Sequence, residues 1–402
     1  MTNMTLARLL TLTSLFVLVP IHSQAADWPR WRGPDANGIS KETGWQTQWP
    51  ATGPKKLWEA KVGTGFSSFA VANGRLYTLG NTADTDTVYC FKADTGEVLW
   101  KHSYPAPLEP KNYEGGPNAT PTVEGDRVYT CSKNAEIFCF DAAKGTVVWS
   151  KKLAEELGTK KPTWAYASSV LVEGDLLLVN VGSEGTALSK QDGKVVWNNG
   201  KDMANYSTPV PFDANGQRAV ALFTKDHIAA LLVADGKELW RYPWKTDYDI
   251  NAADPIVSGN EVFISSGYNH GASLLRITGG KPEKVWENKN MRNHFNSCVL
   301  WKEHLYGVDE KDLRCLDWKT GEVKWGDPKF GKGSLMIADG KLIGLGEKGE
   351  LVVAEATPEA FKPISRAQVL GGKCWTAPVL ANGHIYCRNA AGDMVCLDVS
   401  GK

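Results

Sequence analysis

Apolar residues in this chain come in short runs separated by glycine-bearing turns, and the order of the runs repeats. One unit reads Ser68-Phe-Ala-Val-Ala-Asn-Gly74, Arg75-Leu-Tyr-Thr-Leu79, Val88-Tyr-Cys-Phe91 and Val98-Leu-Trp100. Runs this short, rich in β-branched and aromatic residues and joined by Asn-Gly and Thr-Gly, predict strands linked as hairpins. The last run of each unit follows a tight turn and ends in tryptophan: Asp94-Thr-Gly-Glu-Val-Leu-Trp100, Lys144-Gly-Thr-Val-Val-Trp149, Asp192-Gly-Lys-Val-Val-Trp197, Asp235-Gly-Lys-Glu-Leu-Trp240, Pro282-Glu-Lys-Val-Trp286 and Lys319-Thr-Gly-Glu-Val-Lys-Trp325. With Trp58 the series has spacings of 42, 49, 48, 43, 46 and 39 residues. Four strands per unit of about 43 residues is the pattern of a propeller blade, a sheet that buries its faces by stacking on its neighbours. The tryptophans are expected to pack between neighbouring sheets.

Six units close at Trp100, Trp149, Trp197, Trp240, Trp286 and Trp325. A seventh runs from Ser334 to Leu370, with the region of Phe361 standing in for the tryptophan strand, and Thr376 to Val399 provides three strands of an eighth. Leu57 to Val62 supplies the missing fourth. The pattern predicts an all-β, eight-bladed propeller of four-stranded blades over 57–402, its ring closed by an N-terminal strand that removes the exposed edges of an open array. Residues 26–56 read as an arm: Asp27 to Pro54 cannot bury a core of its own, yet Trp28, Trp31, Trp45 and Trp49 are too apolar to stay in water, so docking on the propeller is expected.

Residues 1–25 read as a signal peptide. Arg8 gives the positive start, Leu9 to Val19 the apolar run, and Ser23-Gln24-Ala25 the small-residue cleavage site, with a cut after Ala25. That run is too short to span a bilayer. Export to the periplasm or beyond is the expectation, for a chain that does not span the membrane and stays monomeric. Composition supports a turn-rich β protein: 40 Gly, 20 Pro and 16 Trp, with 42% hydrophobic and 22% charged residues. Lys plus Arg and Asp plus Glu balance at 45 each, which leaves no basic footprint for nucleic acid.

Eight cysteines in an exported chain raise the question of disulfides. Ten residues before each repeat tryptophan stand Cys90, Cys139, Ala187, Ala230, Arg276 and Cys315, and Cys396 matches them in the last blade. Alternation of Cys with Ala marks a small buried side chain. Cys131 with Cys139, and Cys387 with Cys396, lie on neighbouring strands and would pair if the register opposed them. No Cys-x-x-Cys occurs, which excludes covalent c-type haem and the usual zinc spacings. Gly344-Leu-Gly346-Glu-Lys-Gly349 spells the dinucleotide fingerprint, but Glu350-Leu-Val-Val-Ala354 continues as a strand where that motif needs a helix, so it reads as a hairpin turn.

The repeat, a strand ending in Cys/Ala-Leu/Phe-Asp followed by Thr-Gly-x-Val-x-Trp, resembles the PQQ-like, quinoprotein alcohol dehydrogenase-type propeller repeat, and the chain is similar to exported bacterial proteins of that family, including BamB-like assembly factors. Asp27-Trp-Pro-Arg-Trp-Arg-Gly-Pro-Asp-Ala-Asn-Gly-Ile-Ser40, Ser265-Ser-Gly-Tyr268, Asn293-His-Phe-Asn296 and Gly372-Lys-Cys-Trp-Thr-Ala-Pro378 are similar to segments common in such proteins of planctomycetes. The resemblance implies one of two functions: a non-catalytic binding or scaffold protein of the envelope, with protein or carbohydrate partners, or a PQQ-dependent dehydrogenase or PQQ-binding sensor. Against the enzyme stand the length and the absence of the adjacent cysteines typical of those dehydrogenases.

In either case the segments that enter the innermost strands should form one mouth of the central channel. They bring Glu114, Trp164, Tyr166, Asn251, Asp254, Arg292, His294, Lys332, Lys373 and Trp375 together from different blades. Such a mouth is either polar because it is wet or polar because it holds a ligand. By analogy with the family, PQQ with Ca²⁺ would use Asp254 as base, Asn251 and Glu114 near the metal, Arg292 or Lys332 at the quinone oxygens, and Trp164 or Trp375 as the stacking ring.

Overall fold

A computed structural model describes residues 26–401; the segment 1–25, expected to be a signal peptide, lies outside them. Eight antiparallel sheets form an eight-bladed propeller. Blades 1 to 7 span 70–105, 122–152, 171–198, 210–243, 256–288, 299–327 and 334–368. Blade 8 joins the chain's two ends: Val379–Ala381, His384–Arg388 and Asp393–Asp398 come from one and Lys55–Lys61 from the other. The register sets Trp58 opposite Cys396 and Lys61 opposite Asp393. The ring closes as the strand pattern requires, with the closing strand starting two residues before the expected Leu57. The only helix among the described residues is the single turn and a half of Leu153–Leu157, and no helix there is long and apolar enough to cross a membrane.

The repeated turn and tryptophan form the seam between blades. Trp58 Nε1 donates to the carbonyl of Ala93 in blade 1 at 2.9 Å, Trp100 to Ala142 in blade 2 at 3.0 Å, Trp197 to Val233 in blade 4 at 2.9 Å, and Trp286 to Trp318 in blade 6 at 2.9 Å. Each of these indoles lies on the glycine of the next blade's turn; a Cβ added to Gly145 would sit 2.4 Å from the Trp100 ring. The glycine turn and the tryptophan are therefore two halves of one contact made by successive repeats. At blade 5 the third and fourth strands turn at Gly279-Gly280, open to solvent, and Trp240 packs instead among Trp244, Val262 and Leu275.

Three local expectations change. The longer blade 5 hairpin sets Trp286 opposite Leu274, not Arg276. In blade 7 the outer strand is Pro363–Gln368, and Ser365 occupies the position that tryptophan holds elsewhere, opposite Val353; Phe361 packs, tilted, against Trp325 from the preceding blade. The cysteine pairs are out of register, since Cys131 faces Ile137 while Cys139 faces Tyr129, and Cys387 faces Val395 while Cys396 faces Tyr386; all eight thiols are free and buried. The glycine-rich hexapeptide at 344–349 joins Lys341–Leu345 to Glu350–Glu355 as a hairpin.

The segment from Asp27 to Trp49 crosses the far end of the channel. Trp28 exchanges backbone bonds with Val71 of blade 1 at 2.8 Å each way, Pro29 accepts from Val123 of blade 2, and Ile39–Ser40 pairs in parallel with Ile337 and Ala338 of blade 7. Gln46 N then donates to Val399 at 2.7 Å, and Trp45 is buried in the cluster shared by blades 7, 8 and 1. Trp49 packs on that cluster and donates its backbone N–H to the Ser365 hydroxyl at 3.3 Å, so this segment brings indoles to the seam whose own tryptophan is missing.

The seam makes a paired prediction. Gly145 and Gly125 both hold positive φ, 70° and 57°, but only Gly145 lies under an indole. Alanine at either should cost about 1 kcal/mol of backbone strain, and Gly145→Ala should cost about 1–3 kcal/mol more through overpacking. Equal urea midpoints for the two variants would contradict the seam.

Candidate functional site

Because the innermost strands converge at one mouth, the loops that enter them wall a cavity of about 430 Å³. Its wall is a collar of aromatic rings. Trp375 lies between Phe66, at 5.7 Å between ring centres, and Phe295, at 4.6 Å. Phe66 continues to Tyr113 at 5.8 Å, and on the other side His294 meets Tyr268 at 4.5 Å. Trp164 and Tyr206 complete the collar edge to face at 6.2 Å, and Tyr113 bonds across to the Trp164 carbonyl at 3.3 Å. Between the rings stand short polar groups, Asn118, Thr120, Ser169, Thr208, Ser334 and Thr376.

The floor is Trp31 with Asp254, brought together from 223 positions apart. Asp254 is the one carboxylate among the lining residues, and both of its oxygens are engaged. Oδ2 accepts the Trp31 indole N–H at 2.6 Å and lies 3.8 Å from Arg32 Nε, while Oδ1 accepts the Thr208 N–H at 2.8 Å. Burial pushes its carboxyl above the usual range, against the pull of Arg32. Arg32 in turn donates to the carbonyl of Cys298 at 2.7 Å. Asp254 thus fastens the segment that floors the cavity.

Of the residues singled out from sequence, Asp254, His294, Lys332, Trp164 and Trp375 line the cavity. Burial lowers the pKa of His294, with neighbouring Lys332 acting in the same direction, and the imidazole bonds Glu310. Lys373 borders it: its ammonium lies 4.4 Å from the Trp375 ring centre and 2.6 Å from Glu114. The other three are turned elsewhere. Asn251 is fully buried, donating to the carbonyl of Thr224 at 2.9 Å and accepting from Ser266 at 2.7 Å. Arg292 makes a two-pronged pair with buried Asp309 at 2.7 Å on each prong, which holds its guanidinium in the charged form. Tyr166 packs in the core of blades 2 and 3, its hydroxyl 2.9 Å from Thr159. Sequence reasoning did not single out Trp31, Phe66, Tyr113, Tyr206, Tyr268 and Phe295. Five of them stand in entering segments or beside them, and the signal for Trp31 was an apolar arm that had to dock somewhere.

The residues do not assemble the donor set that Ca²⁺ beside PQQ would need. Calcium takes six to eight oxygens. Here Asp254 is spent on Trp31, Thr208 and Arg32, and Asn251 on backbone and Ser266, while Glu114 gives Oε1 to Lys373 and keeps one buried, unpartnered oxygen, Oε2, far short of that set. Among the described residues no three His, Cys, Asp or Glu side chains cluster as metal ligands.

Fold and mouth together define an eight-bladed β-propeller with an aromatic-walled funnel. The family described as outer membrane protein assembly factor BamB matches residues 40–116 and 108–327, and the chain belongs to that family. Among solved structures, BamB from Moraxella catarrhalis aligns with a TM-score of 0.62 at 14% identity, over 86% of this chain and 99% of that one. A quinohemoprotein alcohol dehydrogenase from Comamonas testosteroni gives 0.68 at 12%, over 94% and 81%, and the computationally designed Ika8 protein 0.62 at 11%, over 86% and 98%. Among curated protein sequences none matches significantly. An assembly factor, a dehydrogenase and a design share this architecture, so function must be argued from the site.

Asp254→Ala should leave Arg32 buried without its counter-charge and release the Trp31 indole. The expected loss is about 3–5 kcal/mol in urea unfolding, with new tryptic cleavage at Arg30 or Arg32. A variant as stable and as protease-resistant as the parent would contradict the role of Asp254 as fastener.

Proposed function

We propose that this protein is an exported, non-catalytic binding propeller of the cell envelope, whose aromatic funnel holds carbohydrate. The observation that carries the reading is a cavity of about 430 Å³ walled by aromatic rings and short polar groups, whose one carboxylate is consumed in fastening the floor. Aromatic rings offer apolar faces to the C–H faces of a sugar ring, and hydroxyl and amide groups between them match its hydroxyls. A committed Asp254 is poorly placed to act as a general base, because its lone pairs already accept hydrogen bonds. Membership of the BamB-like family supports a binding or scaffold role, and the leader-like segment at 1–25 supports export.

One observation favours a second reading. The Phe66, Trp375 and Phe295 rings would also stack on a planar quinone, with Lys332 near its oxygens, so PQQ held without calcium is the alternative. Thermal melts with neutral oligosaccharides, with PQQ, and with PQQ plus Ca²⁺ separate the two. A ligand at 100 times its dissociation constant adds about 2.7 kcal/mol. Stabilisation is expected with an oligosaccharide, weakened about tenfold in affinity by Trp375→Ala, roughly the worth of one aromatic contact. Stabilisation by PQQ, with or without Ca²⁺, and by no oligosaccharide would overturn the carbohydrate reading.

A further inference from the structure

Glu42 is a buried carboxylate that nothing described so far explains. Its side chain has no solvent exposure. Oε1 accepts the Gly383 N–H at 2.5 Å, but Oε2, equally buried, has no hydrogen-bond partner. The groups that favour its charged form are backbone N–H groups, those of Gly383, Ala26 and Asn382, with no basic side chain among them. A half-satisfied buried carboxylate is costly unless a cation reaches it.

The chain carries a nitrogen held in place for that role. Asp27 is fixed by two bonds, Oδ1 accepting Asn382 Nδ2 at 2.9 Å and Oδ2 accepting Asn73 N at 3.2 Å, and Asn382 adjoins the Gly383 that holds Glu42. Trp28 is locked to Val71 on the next step of the chain. These bonds hold the chain so that the Ala26 N–H is one of the backbone donors facing the Glu42 carboxylate. It belongs to the peptide bond that follows the small-residue signature Ser23-Gln24-Ala25.

We propose that Glu42 is the receptor for the chain's own processed N-terminus: cleavage between Ala25 and Ala26 turns the Ala26 nitrogen into an α-ammonium that Glu42 binds as a buried ion pair. In the cleavage a water adds across the peptide bond. Its oxygen joins the Ala25 carbonyl carbon, which ends as a carboxylate, the carbon–nitrogen bond breaks, and both protons of the water end on the leaving nitrogen, which becomes an ammonium at neutral pH. A single neutral amide donor becomes a cation with three donors, enough to reach Oε2. The site thus takes a primary ammonium, and only the mature chain owns one there. Because the segment it anchors also carries Trp31, processing consolidates the floor of the funnel. The inference rests on the export reading.

The test uses protein recovered from an exporting host. Intact mass should show a chain that begins at Ala26. The native α-amine should react with an amine-selective acylating reagent near neutral pH about tenfold more slowly than that of Glu42→Gln, the effect of one unit of pKa elevation by a facing carboxylate, with both reacting alike once unfolded. Glu42→Gln should lower the melting temperature of the mature chain, yet leave it unchanged or raise it when a short Gly/Ser extension keeps the Ala26 nitrogen in a peptide bond. A first residue other than Ala26 would overturn the cleavage position and the pairing with it. A chain that does begin at Ala26 but labels equally in both proteins, or a melting shift of the same sign in both forms, would overturn the pairing while leaving export intact.

Discussion

The structure depends on the contact of an indole with a glycine turn. A four-stranded blade cannot bury both of its apolar faces alone, and here five of the eight seams are made by a tryptophan, Trp58, Trp100, Trp149, Trp197 or Trp286, that reaches across to the next blade, rests on a turn that has room only for glycine, and gives its N–H to a carbonyl there. One buried indole removes about 150–250 Å² from water, roughly 4–6 kcal/mol before ordering costs. The contact also fixes direction: a hydrogen bond at the rim and a flat ring on a flat turn permit one relative rotation of successive sheets. Ring size and the convergence of the inner strands follow from that repeated rotation.

Where the repeat fails, another part of the chain compensates. Blade 7 has Ser365 in place of the seam residue, and Trp45 and Trp49 arrive there from the N-terminal segment. The same segment carries Trp31 and Arg32 beneath the channel, where Asp254 holds them. A ring of eight blades leaves a hole through its centre; this segment closes one end and makes the other a cup. Without it the aromatic collar would be a passage. The chemistry of the cup is therefore set jointly by loops that the repeats supply and by one stretch that belongs to no repeat.

The ring was legible in sequence because its information is periodic: tryptophan, glycine and small residues recur at positions that local chain geometry ties together. The identity of the mouth-forming segments was legible for the same reason. Which side chains of those segments face the cavity was not, because that depends on partners far away in sequence. Arg292 looked available until Asp309 is seen to take both prongs, and Asn251 until carbonyls of another blade are seen to accept its amide. The Asp254–Trp31 bond joins positions 223 residues apart and has no periodic signature. Where hairpin length departs from the repeat, as at Gly279-Gly280, counting residues puts Arg276 where Leu274 stands.

The pairing of Lys55–Lys61 with Asp393–Asp398 has a temporal side. The strand that finishes the ring is among the first parts of the chain to be made, and its partner is among the last. Through synthesis and any passage across a membrane it has nothing of its own sheet to bind, and every intermediate carries two open flanks at once. Contacts this distant in sequence form late and slowly. Such a chain must be kept apart from its copies until its final residues are released, because a neighbour's Lys55–Lys61 strand fits the gap as well as its own does.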